Sequence, residues 1–336
     1  MQIKLNTPLD MHLHLRDKDM LKTVAPLSAK TFSSALIMPN LVPPVTTKEG
    51  LLSYRDRVLD AIGDENFAPY MTLFFKNDYS YEFLKDIRDD IIAIKLYPAG
   101  ITTNSDGGVD NFDIETLRPT LEAMSSLDIP LCIHGESDGF VMDREKEFVP
   151  IYEELAKSFP NLKIIMEHIT TKDSLEALER HPNLYATITI HHLLITLDDV
   201  AGGMLNPHLF CKPIAKRYED REALQKVALQ GHPKVMFGSD SAPHPQDAKE
   251  SSHCSAGVFT SPIALQLLTQ LFMDNNSSIE NLQKFISSNA QKIYNISPKS
   301  KIVTLEKKPF LVPDNYDNVI PMYASQTIDY SIIGIE

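Results

Sequence analysis

The feature that most constrains this chain is a rhythm. Short apolar, β-branched runs recur eight times, at Met11–Leu15, Ile37–Pro39, Leu73–Lys76, Ala93–Tyr97, Leu131–His134, Ile164–His168, Thr187–His191 and Val235–Asp240. Longer, charged stretches with helical spacing lie between them, including Lys48–Ile62, Tyr81–Asp89, Ile114–Ser126, Val149–Ser158, Ser174–His181 and Asp220–Gln230. Strand and helix in alternation predict a parallel sheet, because a parallel neighbour needs a crossover long enough to bring the chain back. Eight such units predict an α/β fold closed into a (β/α)8 barrel. The 336 residues suit one barrel domain, with the barrel over about 5–300 and a small β appendage over about 301–336. The tail is set apart because Pro, Asn and Asp interrupt its β-rich pieces. Only eleven residues precede His12, too few for a substantial N-terminal β-sandwich.

Composition narrows the partners. Hydrophobic residues make up 43% of the chain, enough for a large core and too many for a disordered protein. The net charge of −13 argues against a nucleic-acid surface, which would be basic. It does not forbid an anionic substrate, since metals and one or two arginines can make a site locally positive. Cys132, Cys211 and Cys254 are odd in number and lack CxxC spacing, which fits a reducing, cytoplasmic setting. The first twenty residues lack the pattern of a secretory signal. No apolar run approaches the roughly 18 residues that suggest a membrane span, so no membrane partner is expected.

Polar residues gather where the strands end, which is where a barrel builds its active site. His12 and His14 in "DMHLHL" are two apart and can face one side of a strand as a metal pincer. Alone, the pair reads equally well as two half-buried histidines. Lys95 ends "DDIIAIKLYP" on the same face as Ala93. It either snorkels to water or enters the barrel as a desolvated, neutral amine able to capture CO2. The resulting carbamate has two oxygens and a negative charge, so it can bridge two cations. His134 and His168 each close an apolar run, on consecutive strands. Asp240 closes the last strand, where it can ligate a metal and take a proton from bound water, or simply cap a turn. Gly238 beside it permits close approach of another strand. Each signal is weak alone. The order is not: HxH on the first strand, Lys on the fourth, His on the fifth and sixth, Asp on the eighth.

The constellation resembles the amidohydrolase superfamily and, within it, the short bacterial-type dihydroorotases. "DMHLHLRD", "ALIMPNLVPPV", "IKLYPAGITTNS", "HGE", "MEHITT", "CKPIAKR", "GSDSAPH" and "AGVF" carry the likeness in the family's order. The resemblance implies two Zn2+ per subunit. His12, His14 and Asp240 would hold one, His134 and His168 the other, with N6-carboxylated Lys95 and a hydroxide bridging them. It implies the reversible interconversion of (S)-dihydroorotate and N-carbamoyl-L-aspartate in de novo pyrimidine (UMP) synthesis, with Asp240 as general base and acid. Arg16, Asn40 and His244 would hold the substrate carboxylate, and the backbones of Ala256 and Lys212 would contact the ligand. Thr102 and Thr103 would close over it from a mobile lid, Gly100–Asp110. Arg16 is placed on the face of His14 if the strand geometry continues. Two positions depart from the family's pattern: Lys212 replaces an apolar residue and Gly100 a polar one. A homodimer is a further implication. His191 and His192 end a strand from which the family takes no metal ligand, so they read as structural. Two alternatives stay open: another cyclic-amide hydrolase of the hydantoinase or allantoinase kind, and a non-catalytic barrel scaffold.

Overall fold

A computed structural model describes residues 2–336. After a first short strand, β1 (Gln2–Asn6), eight parallel strands form one sheet in chain order: β2 (Leu9–Leu13), β3 (Ser34–Ile37), β4 (Ala68–Phe74), β5 (Ala93–Leu96), β6 (Leu131–Ile133), β7 (Ile164–Met166), β8 (Leu184–Ile188) and β9 (Val235–Phe237). The ends of the sheet meet. The Asp240 amide donates to the His12 carbonyl at 2.8 Å, and the His14 amide to the Ser241 carbonyl at 3.2 Å. Gly238 makes this seam possible, because a Cβ there would lie 2.9 Å from the His12 Cβ and 3.0 Å from that of Thr187. The fold is the expected (β/α)8 barrel.

Two apolar layers hold it. Leu36, Ala93, Cys132, Ile165 and Met236 fill the barrel interior, which Ala290, Ile293 and Tyr294 also join. The alternate residues Ile37, Ile94, Ile133, Ile164 and Phe237 pack outward in the second cluster. Lys95 therefore shares the inward face of Ala93 and is fully buried. β2 breaks the alternation. Leu9 and Met11 belong to the inner cluster but Leu13 and Leu15 to the outer one, and the register shifts between Asp10 and Leu13. That change of phase brings His12 and His14 to the mouth.

Helices Lys48–Ile62 and Ile114–Ser126 fall where the spacing places them. The helix expected to begin at Val149 begins at Arg144, because its charged first turn hides the apolar period. The helix expected over Ser174–His181 is Lys172–Arg180, capped by the Thr171 side chain on the Ser174 amide. Three readings are corrected. The appendage is not wholly C-terminal: β1 pairs antiparallel with β10 (Ile302–Leu311), which pairs with β11 (Thr327–Ile335). Ile3 and Leu5 alone carry the alternation of β1, too little to stand out in five residues. His191 and His192 do not end a strand; they sit in the helix Ile190–Leu194, capped by Thr189. Arg16 does not continue the strand, since its φ is +60° and β2 has ended at Leu13.

Candidate active site

Residues expected to carry chemistry meet at the C-terminal mouth of the barrel. His12, His14, His134, His168 and Asp240 line one pocket, and Arg16, Asn40, Thr102, Thr103, Lys212 and Ala256 line the same pocket. Tyr97, Ala242 and Gly257 complete it. The sequence reading does not single out Tyr97, although it lies two residues beyond Lys95 and so on its face. Three of the polar residues hold left-handed backbone, Arg16 at φ +60°, His168 at +40° and Asp240 at +43°. Such conformations are costly for side chains with a Cβ and persist where surrounding structure enforces them, often at functional sites. Here the enforcing contacts are a 2.7 Å bond from the His168 amide to the Thr187 hydroxyl and the Asp240 amide bond to His12.

The protonation pattern can be read from the partners. His12 Nδ1 lies 2.7 Å from Glu167 Oε2, a carboxylate oxygen that also accepts from the Thr187 hydroxyl at 2.6 Å. The ring proton therefore sits on Nδ1, leaving a lone pair on Nε2. That lone pair faces Asp240 Oδ1 at 3.5 Å, and His14 Nε2 stands 3.1 Å from the same oxygen. Across the mouth, His134 Nε2 lies 2.8 Å from Glu136 Oε2, which leaves His134 Nδ1 unprotonated, 3.1 Å from His168 Nε2. Sequence spacing does not single out Glu136 or Glu167. Their signal is position alone: Glu167 directly precedes His168, and Glu136 lies two after His134.

The donors fit cations. Single ligand atoms of His12, His14 and Asp240 all lie within 4.8 Å of one another. An unprotonated imidazole nitrogen opposite a carboxylate oxygen repels it unless a positive charge lies between. The imidazole and carboxylate set is one that zinc and related divalent ions accept. Lys95 adds an independent sign: its Nζ is fully buried without a hydrogen-bond partner among the described residues, and lies 5.1 Å from the Tyr97 ring centre. Burial pushes its pKa down, favouring the neutral amine. Burial likewise pushes the Asp240 carboxyl up, against the pull of His12 and its neighbours. His14 is held well below its ordinary value by burial and then by Arg16, so it is neutral and able to ligate.

A separate cationic corner adjoins this set. Arg16 Nη2 lies 3.0 Å from His244 Nε2, and Arg16 Nε donates to the Pro243 carbonyl at 3.2 Å. His244 Nε2 is also 3.0 Å from the Ala256 carbonyl. Burial first, and Arg16 second, hold the His244 pKa down at about 3, so Arg16 carries the positive charge. The loop expected as a lid lies over the pocket and is tied down on two sides. Asn40 Nδ2 donates to the Thr103 carbonyl and Asn104 Nδ2 to the Asn40 carbonyl, each at 3.0 Å. Opposite, Lys212 Nζ donates to the Ile101 carbonyl at 2.8 Å. The Lys212 side chain thus meets this loop, whereas only its backbone is expected at the site.

Fold and site together define a metal-dependent hydrolase built on a (β/α)8 barrel. A family model described as the amidohydrolase family matches residues 8–332. A dihydroorotase of Helicobacter hepaticus is 43% identical over 336 residues, covering 98% of this chain and 97% of the relative. The crystal structure of a dihydroorotase from Campylobacter jejuni superposes with a TM-score of 0.95 at 58% identity, covering 99% of this chain and 98% of that one. A Saccharomyces cerevisiae dihydroorotase, solved with 5-fluoroorotic acid, has a TM-score of 0.92 at 33% identity, covering 98% of each chain. The chain belongs to the amidohydrolase family, within its dihydroorotase branch. An L-hydantoinase of Arthrobacter aurescens shares the fold at 17% identity and a TM-score of 0.82, covering 98% of this chain and 83% of that one.

Proposed function

We propose that this metal-dependent cyclic amidohydrolase interconverts (S)-dihydroorotate and N-carbamoyl-L-aspartate at the barrel mouth, the ring-closing step of pyrimidine synthesis. The observation that carries the reading is the pairing of two sites in one pocket. A cluster of metal-type donors around Asp240 adjoins a corner where Arg16, His244 and Asn40 can take a carboxylate. Hydrolysis of a plain cyclic amide needs the first; a substrate bearing a carboxylate needs the second.

His12, His14 and Asp240 would hold one cation, His134 and His168 a second, and Lys95 would join the two sets. Two Zn2+ suit these donors. When bound, the cations supply an acidified water and polarise the amide carbonyl. Lys95, buried and held toward the neutral amine, would take up CO2 with release of a proton, and the resulting carbamate would supply oxygen donors to the cations. Glu167 and Glu136 fix the tautomers of His12 and His134 by taking the proton of the opposite ring nitrogen.

Arg16 presents its guanidinium to the substrate carboxylate, a planar fork matched to two oxygens. Asn40 and His244 flank that position, and the backbones of Ala256 and Lys212 border the ring. Asp240 takes a proton from the attacking water and delivers it to the departing ring nitrogen; in ring closure it runs the same transfer backwards. Thr102 and Thr103 close the pocket and exclude bulk water. Three free cysteines support a cytosolic setting, and no described helix is long and apolar enough to cross a membrane. The working unit is a homodimer.

A direct assay tests the reading. Purified enzyme is expected to turn over dihydroorotate and N-carbamoyl-L-aspartate and to leave hydantoin unchanged. Turnover of hydantoin with none of dihydroorotate would overturn it.

A further inference from the structure

A second group of metal-type donors lies buried behind the mouth. A ring nitrogen of His191, one of His192 and the Cys211 Sγ all lie within 4.8 Å of one another. Sγ stands 3.5 Å from His192 Nε2. Around a tetrahedral zinc, with bonds of about 2.1 Å to nitrogen and 2.3 Å to sulfur, neighbouring ligand atoms sit roughly 3.5 Å apart. All three side chains are buried.

His191 supplies an independent sign. Neither of its ring nitrogens has a hydrogen-bond partner among the described residues, and its relative exposure is 0%. Buried polar groups are nearly always paired, so an imidazole with both nitrogens unmet points to something that binds it. Its ring packs on that of His192, with centroids 4.3 Å apart. His192 is already oriented for ligation. Its Nε2 donates to the Pro213 carbonyl at 3.0 Å and its Nδ1 lies 2.9 Å from the Thr189 hydroxyl, which can take over the ring proton when a cation claims Nε2. The Pro213 carbonyl accepts from His192 Nε2 at 3.0 Å and from the Cys211 thiol at 3.2 Å, so it faces the same point as both and offers a fourth donor once those two protons are displaced.

We propose that His191, His192 and Cys211 bind a divalent cation of the zinc class, at a structural site separate from the barrel mouth. On binding, the Cys211 thiol gives its proton to solvent and the thiolate ligates. The His192 ring proton shifts from Nε2 to Nδ1, where the Thr189 hydroxyl accepts it, and Nε2 ligates. No electron is transferred. The cation ties the helix Ile190–Leu194 to the segment that carries Lys212, and so anchors the base of the Lys212 contact with the lid.

The donors at the mouth include no sulfur, so a thiolate-to-cobalt charge-transfer band that depends on Cys211, and not on Cys132 or Cys254, reports this site. Full-length protein is exchanged into Co2+ and titrated, and total bound metal is counted. The expected result is a near-ultraviolet band saturating at one cobalt per chain. It should be absent in Cys211→Ser and should need at least tenfold more cobalt in His191→Gln, a polar replacement that retains a buried donor and acceptor. Absence of the band in the unmodified protein, or its survival in Cys211→Ser, would overturn the proposal. If Cys211→Ser does not fold, His191→Gln decides alone: an unchanged titration contradicts the site.

Discussion

His12 and Glu167 are joined by a 2.7 Å contact between Nδ1 and Oε2, and both side chains are sealed from solvent. The carboxylate acts on the far side of the ring, where it decides which nitrogen is free to face Asp240. Glu167→Gln keeps the shape and removes the charge. It is expected to weaken metal retention by about 10- to 100-fold, the usual cost of removing an outer-shell partner. The chelator concentration that strips half the bound metal is the measurement; an unchanged value would remove Glu167 from this role.

Lys95 gives a prediction in terms of carbon dioxide. Its buried, unpartnered amine is suited to carbamate formation only while neutral. Metal-free enzyme reconstituted with Zn2+ is expected to recover activity faster and further with added bicarbonate than without. Lys95→Ala should bind less metal, lose activity by several orders of magnitude and show no bicarbonate dependence.

Much of this site is legible in sequence because barrel strands are short and end at the chemistry. The positions of His134, His168, Lys95 and Asp240 follow from where apolar runs stop. His12 and His14 also reach the mouth as expected, but for a further reason: simple alternation from Leu9 and Met11 would turn them away from the interior, and the register shift in β2 brings them back. Arg16 reaches the pocket through left-handed backbone, a tertiary effect that local spacing does not encode. Glu136 and Glu167 look like ordinary charged residues until the fold sets them against imidazoles. β1 is hidden in the sequence because its pairing partner lies some three hundred residues away, as Gln2 opposite Glu306 illustrates.

Arg16→Lys is expected to raise KM for both substrates by roughly tenfold to a hundredfold, as about 1.5–3 kcal/mol of charged hydrogen bonding is lost. Initial rates across substrate concentration, in each direction, check it. Native kinetics would show that the carboxylate binds elsewhere.

Lys212 holds the Ile101 carbonyl at 2.8 Å from across the mouth. Lys212→Met keeps the length and removes the donor. Faster amide hydrogen exchange over Gly100–Asp110 is expected, with a several-fold rise in KM and unchanged metal content. Exchange identical to the unmodified protein would show that the lid is held by Asn40 and Asn104 alone.

Acid should destabilise the fold through histidines buried neutral. In the metal-free protein, burial holds His192 down at about 4, against the opposing pull of its contact with the Pro213 carbonyl. The unfolded chain takes up this proton near its ordinary 6.5, while the folded chain resists until about 4. The contribution is therefore complete above pH 6.5 and lost as pH falls toward 4. Between pH 7.5 and 5 the loss is about 2 kcal/mol for this residue. Denaturant unfolding at the two pH values measures it, and His192→Gln should flatten the difference.

The central claim is that these side chains meet around cations with Lys95 between them. X-ray diffraction from crystals of the purified enzyme, recorded on both sides of the zinc absorption edge, tests it most directly. The account expects two anomalous peaks at the mouth, one among His12, His14 and Asp240 and one beside His134 and His168, with density for three additional atoms on Lys95 Nζ. A bare Lys95 amine and no anomalous peak at the mouth would contradict it.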